Sequence, residues 1–261
     1  MQPIRFDTRL MVTKNASYQD IKGILMRSFI VMAMFVTSLA HAGWSDYEEE
    51  RTLNLDADGI TTLSIEAGAG SMDVTGIADL NEIVVKALIV VPNGDEEDAL
   101  EVIEKEMVLT LDSNGGVARL ESWFDKGFMG YGSDSYIVLD VSVPQGMSVE
   151  IDDSSGSLEI SDVAGDVSID DGSGSIDIRN VANLKIDDGS GSIRVAGAAG
   201  DVSIVDGSGS ITVSHVQGSV IIDDGSGSIK VSDVEHDLTI VDDGSGGQKF
   251  SNIRGNVDTE T

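Results

Sequence analysis

A repeat with a period of roughly 18 residues constrains this chain more than any other feature. The stretch Ile169-Asp170-Asp171-Gly172-Ser173-Gly174-Ser175-Ile176 returns at Ile186 to Ile193, Ile204 to Ile211 and Ile222 to Ile229, with degenerate copies at Ile151 to Leu158 and Val241 to Gln248. The residue after the second Asp falls at near-even intervals, at Ser154, Gly172, Gly189, Gly207, Gly225 and Gly244. A period of this size marks a stack of similar units, each too small to bury its apolar face alone.

Within a unit, Val167/Ile169 and Ile176/Ile178 alternate with polar residues. Period-two alternation of β-branched residues predicts half-buried strands. The Asp-Gly-Ser-Gly-Ser between them is turn chemistry, because Gly supplies positive φ and Asp bonds backbone N–H groups just ahead of it. A second Gly turn follows at Val163-Ala164-Gly165-Asp166 and its relatives. A hairpin reading is open for so short a connection, but the regular period favours an all-β parallel solenoid with one coil per repeat. The inward columns are then Val149, Val167, Leu184, Val202, Val220, Leu238; Ile151, Ile169, Ile186, Ile204, Ile222, Ile240; Leu158, Ile176, Ile193, Ile211, Ile229; and Val163, Val181, Ala198, Val216, Val234. At a strand spacing of ~4.8 Å, six rungs make a rod roughly 25–30 Å long. An aliphatic core this thin suits an aromatic content of 5%.

Residues 1–42 read as an N-terminal extension plus signal peptide. Lys22 and Arg27 precede an apolar run, Ser28 to Ala40, and Ala40-His41-Ala42 supplies a small-x-small cleavage pattern. The run is short for a membrane span. The long stretch before it points to a start at Met26 or to an extended n-region, and an uncleaved anchor is the rival reading. Residues 43–261 form one domain, with an irregular entry at 43–147, regular repeats at 148–247 and a C-terminal end at 248–261. The expected localisation is periplasmic, extracellular or cell-surface.

In the entry part, Gly43 to Arg51 reads as a flexible acidic lead-in. Leu53 to Val74 resembles the repeat, with Leu63-Ser64-Ile65-Glu66-Ala67-Gly68-Ala69-Gly70-Ser71-Met72-Asp73-Val74 as an early rung. Ile83 to Val91 is a strand. Asp95 to Met107 is a short amphipathic helix, with Ala99, Leu100, Ile103 and Met107 on one face and acids in its first turn. Val108 to Leu111 and Val117 to Trp123 flank Asp112-Ser113-Asn114-Gly115-Gly116, a hairpin signal. Asp125 to Asp134 is a Gly-rich loop carrying Phe128, Met129 and Tyr131, either folded over the core or offered to a partner or glycan. Tyr136 to Val143 is a further strand, and Pro144-Gln145-Gly146 turns the chain into the regular rungs. After Gly247 the repeat decays, and Phe250 and Ile253 plug the last rung.

Charge limits the partners. Residues 43–261 carry 11 basic and 44 acidic side chains. Nucleic-acid binding needs a basic footprint and is disfavoured, as is docking on anionic lipid. The absence of cysteine excludes disulfides, thiol catalysis and a lipid-anchored cysteine.

Two Asp columns carry the sharpest chemistry: Asp153, Asp171, Asp188, Asp206, Asp224, Asp243, and Asp152, Asp170, Asp187, Asp223, Asp242, the second broken by Val205. Carboxylates stacked one rung apart repel by about 0.9 kcal/mol in water and about 3.5 kcal/mol at an effective dielectric of 20. Either each Asp accepts N–H bonds from its own turn, or bound cations offset the charge in oxygen-only calcium sites. The column Glu159, Asp177, Arg194, Thr212, Lys230 reads as a solvated face with cross-rung pairing. The Ser columns read as small turn residues. His215 and His236 have no His or Cys nearby in sequence, and Gly246-Gly247-Gln248-Lys249 lacks phosphate-loop spacing. No catalytic, cofactor-binding or metal-binding residue is assigned.

The signal-like segment, the early Leu-x-Ile-x-x-Gly-x-Gly-x-Met rung, the Asp-Glu-Glu helix, the Val-x-Val-Pro-x-Gly-Met-x-Val-x-Ile entry from Val141 to Ile151 and the serial Asp-Gly-Ser-Gly-Ser turns resemble a bacterial domain-of-unknown-function family labelled "putative adhesin". The resemblance covers about Leu53 to Asn256 and implies a β-solenoid with no catalytic motif to carry over. The turns also resemble the calcium-binding nonapeptide repeat, from which they depart: here Asp precedes the glycines and the second turn lacks the motif. The function expected from all of this is a non-enzymatic, exported, adhesin-like or scaffold protein of the bacterial envelope that contacts a protein or glycan surface. The alternatives are a calcium-stabilised extracellular module and a self-associating filament subunit.

Overall fold

Like positions stack on like positions throughout the repeats of the computed structural model, which describes residues 46–92, 95–125 and 134–259. The signal-like segment and Phe128, Met129 and Tyr131 lie outside the described residues. The first regular rung is a single long strand, β8 (Ser148–Ser161). Later rungs each hold a short and a longer strand: β9 (Val167–Asp171) and β10 (Gly174–Val181), β11 (Leu184–Asp188) and β12 (Gly191–Ala198), β13 (Val202–Asp206) and β14 (Gly209–Val216), β15 (Val220–Asp224) and β16 (Gly227–Val234), β17 (Leu238–Asp242) and β18 (Gly246–Ile253). The short strands stack in parallel, β9 on the first half of β8 and each later one on its predecessor, to make sheet 1. The longer ones stack likewise from β10 on its second half to make sheet 2. Over the described residues this is an all-β parallel solenoid with one short helix, and its rungs are about 18 residues long.

The apolar core lies between the two sheets. Ile169 pairs with Ile186, Ile186 with Ile204 and Ile204 with Ile222 in sheet 1, and Ile176, Ile193, Ile211 and Ile229 form the matching column in sheet 2. A further buried column, Ile160, Ile178, Val195, Val213 and Val231, completes the core. It follows from alternation two positions past Leu158 and its equivalents. The repeat does not stop at Gly247. Phe250 stacks on Val231 and Ile253 on Val234, and β19 (Val257–Thr259) adds to β17. Backbone pairing outlasts the Asp-Gly-Ser-Gly-Ser motif because parallel ladders need strand backbone, not that turn. Phe250 and Ile253 pack partly buried against the core, as expected for a plug.

The entry part is stacked in an order different from its order along the chain. β2 (Thr62–Ala69) and β3 (Met72–Ile77) form the early rung against β8, with Leu63 on Val149, Ile65 on Ile151 and Met72 on Leu158. The other side of this rung is covered by later strands, β6 (Val117–Phe124) on β2 and β7 (Tyr136–Pro144) on β3, again in parallel. Beyond them the direction reverses. β5 (Met107–Asn114) pairs antiparallel with β6, β4 (Glu82–Val91) with β7, and β1 (Tyr47–Asp56) with β4. Residues Tyr47 to Arg51 are therefore strand rather than a flexible lead-in. Their acids do not prevent this, since most point outward and the buried Glu49 accepts a 2.7 Å bond from Arg51 Nε. Leu53 and Leu55 likewise belong to β1, not to the early rung.

The expected helix is α1 (Glu96–Glu106). Asp95 caps it by accepting from Asp98 N at 3.0 Å, and Glu96, Glu97 and Asp98 complement the helix dipole in its first turn. Ala99 and Ile103 are buried, whereas Leu100 is exposed. Asp95→Ala is expected to cost about 1 kcal/mol of local stability. Hydrogen exchange should show the loss in the helix amides, with the repeat strands unchanged.

Candidate functional site

The Asp-Gly-Ser-Gly-Ser corner is the most repeated chemical feature of the rod. Strand alternation carries Val167, Ile169 and Asp171 to the same face, so the second Asp of each repeat points into the rod rather than to solvent. Asp153, Asp171, Asp188, Asp206 and Asp224 are all buried, with exposures of 0–3%. The first Asp of the pair points out, as at Asp152, Asp170 and Asp187. The two columns are thus different in kind. Period-two alternation, carried two positions past the last Ile, was the signal for it.

Four of the five corners offset part of the cost with a bond from their own turn. Asp171 Oδ1 accepts from Ser173 N at 3.1 Å, Asp188 from Ser190 N, Asp206 from Ser208 N and Asp224 from Ser226 N, each at 3.0 Å. The Ser columns matter here through their backbone N–H groups. In the last turn the role passes to Asp242, whose Oδ1 accepts from Gly244 N at 2.8 Å. Asp243 leaves the column and meets Gln248 Nε2 at 2.5 Å instead. The reason is a register shift between β15 and β17 that sets Asp223 against Asp242. The second oxygen of Asp188, Asp206 and Asp224 has no hydrogen-bond partner, and neither oxygen of Asp153 has one of good geometry, although the Ser155 and Ser154 N–H groups lie near enough to pull its pKa down.

Burial raises the carboxyl pKa of Asp153 to about 7, with the neighbouring Asp171 as the next cause. Asp171 and Asp206 are pushed up to about 6, chiefly by burial and against the pull of the Ser173 and Ser208 N–H bonds. Asp188 and Asp224 are raised for the same first reason. Among the described residues, no three His, Cys, Asp or Glu side chains gather into a group that could hold a metal ion.

The outer faces are mostly polar, with Val205, Ile221 and Val241 exposed on sheet 1. On sheet 2, Glu159, Asp177, Arg194, Thr212 and Lys230 form one cross-rung column. Arg179 pairs with Glu159 and, at 3.1 Å, with Asp177, which Arg194 also reaches at 3.5 Å. On sheet 1 a shallow groove of about 640 Å³ runs across the rungs past Ser148, Ser168, Lys185, Ser203 and Ile221, with Asp166, Asn183 and Asp201 along one side.

Two corner ladders are absent from the sequence reading. In one, Asn183 Nδ2 donates to Asp166 Oδ1 at 2.8 Å, Asn183 Oδ1 accepts from Asp201 N at 3.0 Å, and Asp201 Oδ1 accepts from Ser219 N at 2.8 Å. In the other, Asp162, Asn180, Gly197, His215, Asp233 and Asn252 all adopt positive φ. These are the residue types that tolerate the left-handed region best, and their recurrence at one repeat position was a legible signal. His215 therefore has a backbone role. His236 is exposed.

No family model matches the chain, and no curated protein matches it. Solved structures similar to it include a putative adhesin from Bacteroides fragilis, at 10% identity and TM-score 0.37, covering 81% of this chain and 97% of that one. Another is a putative cell adhesion protein from Clostridium sporogenes, at 10% identity and TM-score 0.32, covering 81% and 98%. A third is a putative lipid binding protein from Parabacteroides distasonis, at 10% identity and TM-score 0.38, covering 81% and 97%. The first two carry the adhesion label of the family that the sequence resembles. At these identities and scores no ligand or activity is carried from them.

Proposed function

We propose that this chain is an exported, non-enzymatic, adhesin-like interaction module. The observation that carries the reading is the register. In-register stacking projects outward side chains at the same positions in every rung, which makes two long, mostly polar faces of varied side chains. Such faces suit a partner with its own repeat, and the groove on sheet 1 has the hydroxyl, amide and carboxylate groups that bind sugar hydroxyls. The apolar run Ser28 to Ala40, followed by Ala40-His41-Ala42, supports export. The module is one domain over residues 43–261.

Two measurements test the reading. The full chain expressed in a bacterium should be recovered outside the cytoplasm with Gly43 as its first residue. The processed chain should bind purified bacterial envelope polysaccharide saturably. Lys185→Glu combined with Ser203→Arg should weaken that binding about tenfold or more, a loss of about 1.4 kcal/mol. Cytoplasmic retention of the intact chain would sink the export reading. Binding insensitive to both groove substitutions would remove this face as the contact surface.

A further inference from the structure

We propose that Asp153, Asp171, Asp188, Asp206 and Asp224 form a proton-holding column, so that the rod takes up protons from water as it folds and is most stable in mildly acidic surroundings. This inference is independent of the adhesin-like reading.

The geometry leaves few other ways to accommodate these groups. Strand pairing sets Asp153 beside Asp171, Asp171 beside Asp188, Asp188 beside Asp206 and Asp206 beside Asp224. Every member is buried, and the unpartnered oxygens of Asp153, Asp188, Asp206 and Asp224 lie inside the rod. An ionised carboxylate only accepts hydrogen bonds, so two facing carboxylates cannot satisfy each other. A proton on one of them supplies the missing donor. The step is a plain protonation, in which a hydronium ion gives its proton to a carboxylate oxygen and leaves water.

The groups around the column do not provide a counter-charge. Along its own strands lie Asp152, Asp170, Asp187 and Asp223, and beyond Asp224 lie Asp242 and Asp243, all of which raise the cost of ionisation where they act. On the entry side Asp153 pairs with the uncharged Ala67. The buried residues of β10, β12, β14 and β16 on the opposite sheet are aliphatic. Among the described residues, the Arg and Lys ion pairs are made with other acids, namely Glu49, Glu66, Glu101, Glu121, Asp140, Glu159, Asp177 and Glu235. A calcium ion would need six to eight oxygens, and no metal-capable group is gathered there among the described residues. Buried and with no basic side chain paired to them, these acids hold a proton to higher pH than an exposed Asp does.

The sign of the pH dependence is set by the folded values. They lie above the ordinary Asp value, at about 6 for Asp171 and Asp206 and about 7 for Asp153. The folded chain therefore binds more protons than the unfolded chain across that window. The stabilisation is complete below an unfolded value of about 3.9 and is lost as pH rises through about 6 to 7.

The test is a set of thermal melts of the full chain at fixed salt, with chelator or with millimolar calcium. Between about pH 8 and about pH 5.5 the midpoint should rise by about 5 °C or more. Combining Asp171→Asn, Asp188→Asn and Asp206→Asn should raise the midpoint at the upper pH and remove most of the slope. Combining Asp170→Asn, Asp187→Asn and Asp223→Asn removes the same formal charge from the outer column and should leave the slope largely in place. Equal flattening by both sets would assign the effect to general acid repulsion and overturn the column. Calcium stabilisation at the upper pH that the inner set abolishes would also overturn it, in favour of a cation site. Should the inner set fail to fold, carboxyl-carbon NMR of the unaltered chain still decides. Several Asp carboxyls should titrate above about pH 5.5, whereas titration of all of them near the ordinary value of about 3.9 would end the proposal.

Discussion

Gly191→Ala is expected to disrupt the solenoid at its centre, at a cost of more than about 4 kcal/mol, a size reached only through a specific mechanism. Gly174, Gly191, Gly209 and Gly227 form one column, with φ of 153°, 151°, 153° and 155°. An L side chain is strained in that region. Space is an independent obstacle. A Cβ on Gly191 would meet the carbonyl oxygen of Gly174 well inside the 3.0 Å that real Cβ atoms keep. The obstacle is backbone, so no rotamer change relieves it. Moving the rung away would break the parallel ladder from Gly174–Gly191 to Val181–Ala198. Gly247, where a Cβ meets nothing within 4 Å, is the control. Gly247→Ala should change stability by no more than about 0.5 kcal/mol. Urea melts of the two variants, followed by circular dichroism, would show a collapsed midpoint for the first and a near-parental one for the second. A parental midpoint for Gly191→Ala would mean that the rungs are not packed at the spacing described.

Ile193→Ala should cost about 2–5 kcal/mol. Ile193 is 1% exposed and stacked in register between Ile176 and Ile211. The parallel ladders above and below hold those neighbours in place, so the void cannot close, which favours the upper half of the range. Val205→Ala removes methyl groups from a residue 42% exposed on the outer face of sheet 1 and should lie within about 0.5 kcal/mol of the parent. The comparison tests the assignment of inner and outer columns directly. Similar losses at both positions would invert it.

The legible parts of the fold were those in which the same local rule recurs. Alternation around Ile169 and Ile176, repeated in every rung, leaves one register that buries the aliphatic columns, with Val205, Ile221 and Val241 left outside. A slip by a single position would turn the whole set to solvent. The helix after Asp95 was legible from its cap, its acidic first turn and its spacing of Ala99 and Ile103. The Asn114-Gly115-Gly116 hairpin was legible from its turn residues. The inward Asp was equally present in the pattern, and it was missed because an acid at the end of an aliphatic strand reads as a surface group. Only the opposite sheet closing over it shows that it is enclosed.

By itself, then, the sequence determined the period, the strands of the regular repeats, the turn chemistry and the aliphatic columns, because each depends on residues within one rung or on the same residue one rung away. The tertiary structure alone decided that the rung from Thr62 to Ile77 sits between β8 and the later strands β6 and β7, and that β1, β4 and β5 close that side in the antiparallel sense. Thr62 meets Ser148 although β3 to β7 and α1 all intervene along the chain. Such pairing is selected by which exposed ladder and apolar face remain to be covered, a property of the assembled stack that no local pattern encodes. The same closure turned a row of turn-capping acids into a buried column, since desolvation exists only once both sheets are in place.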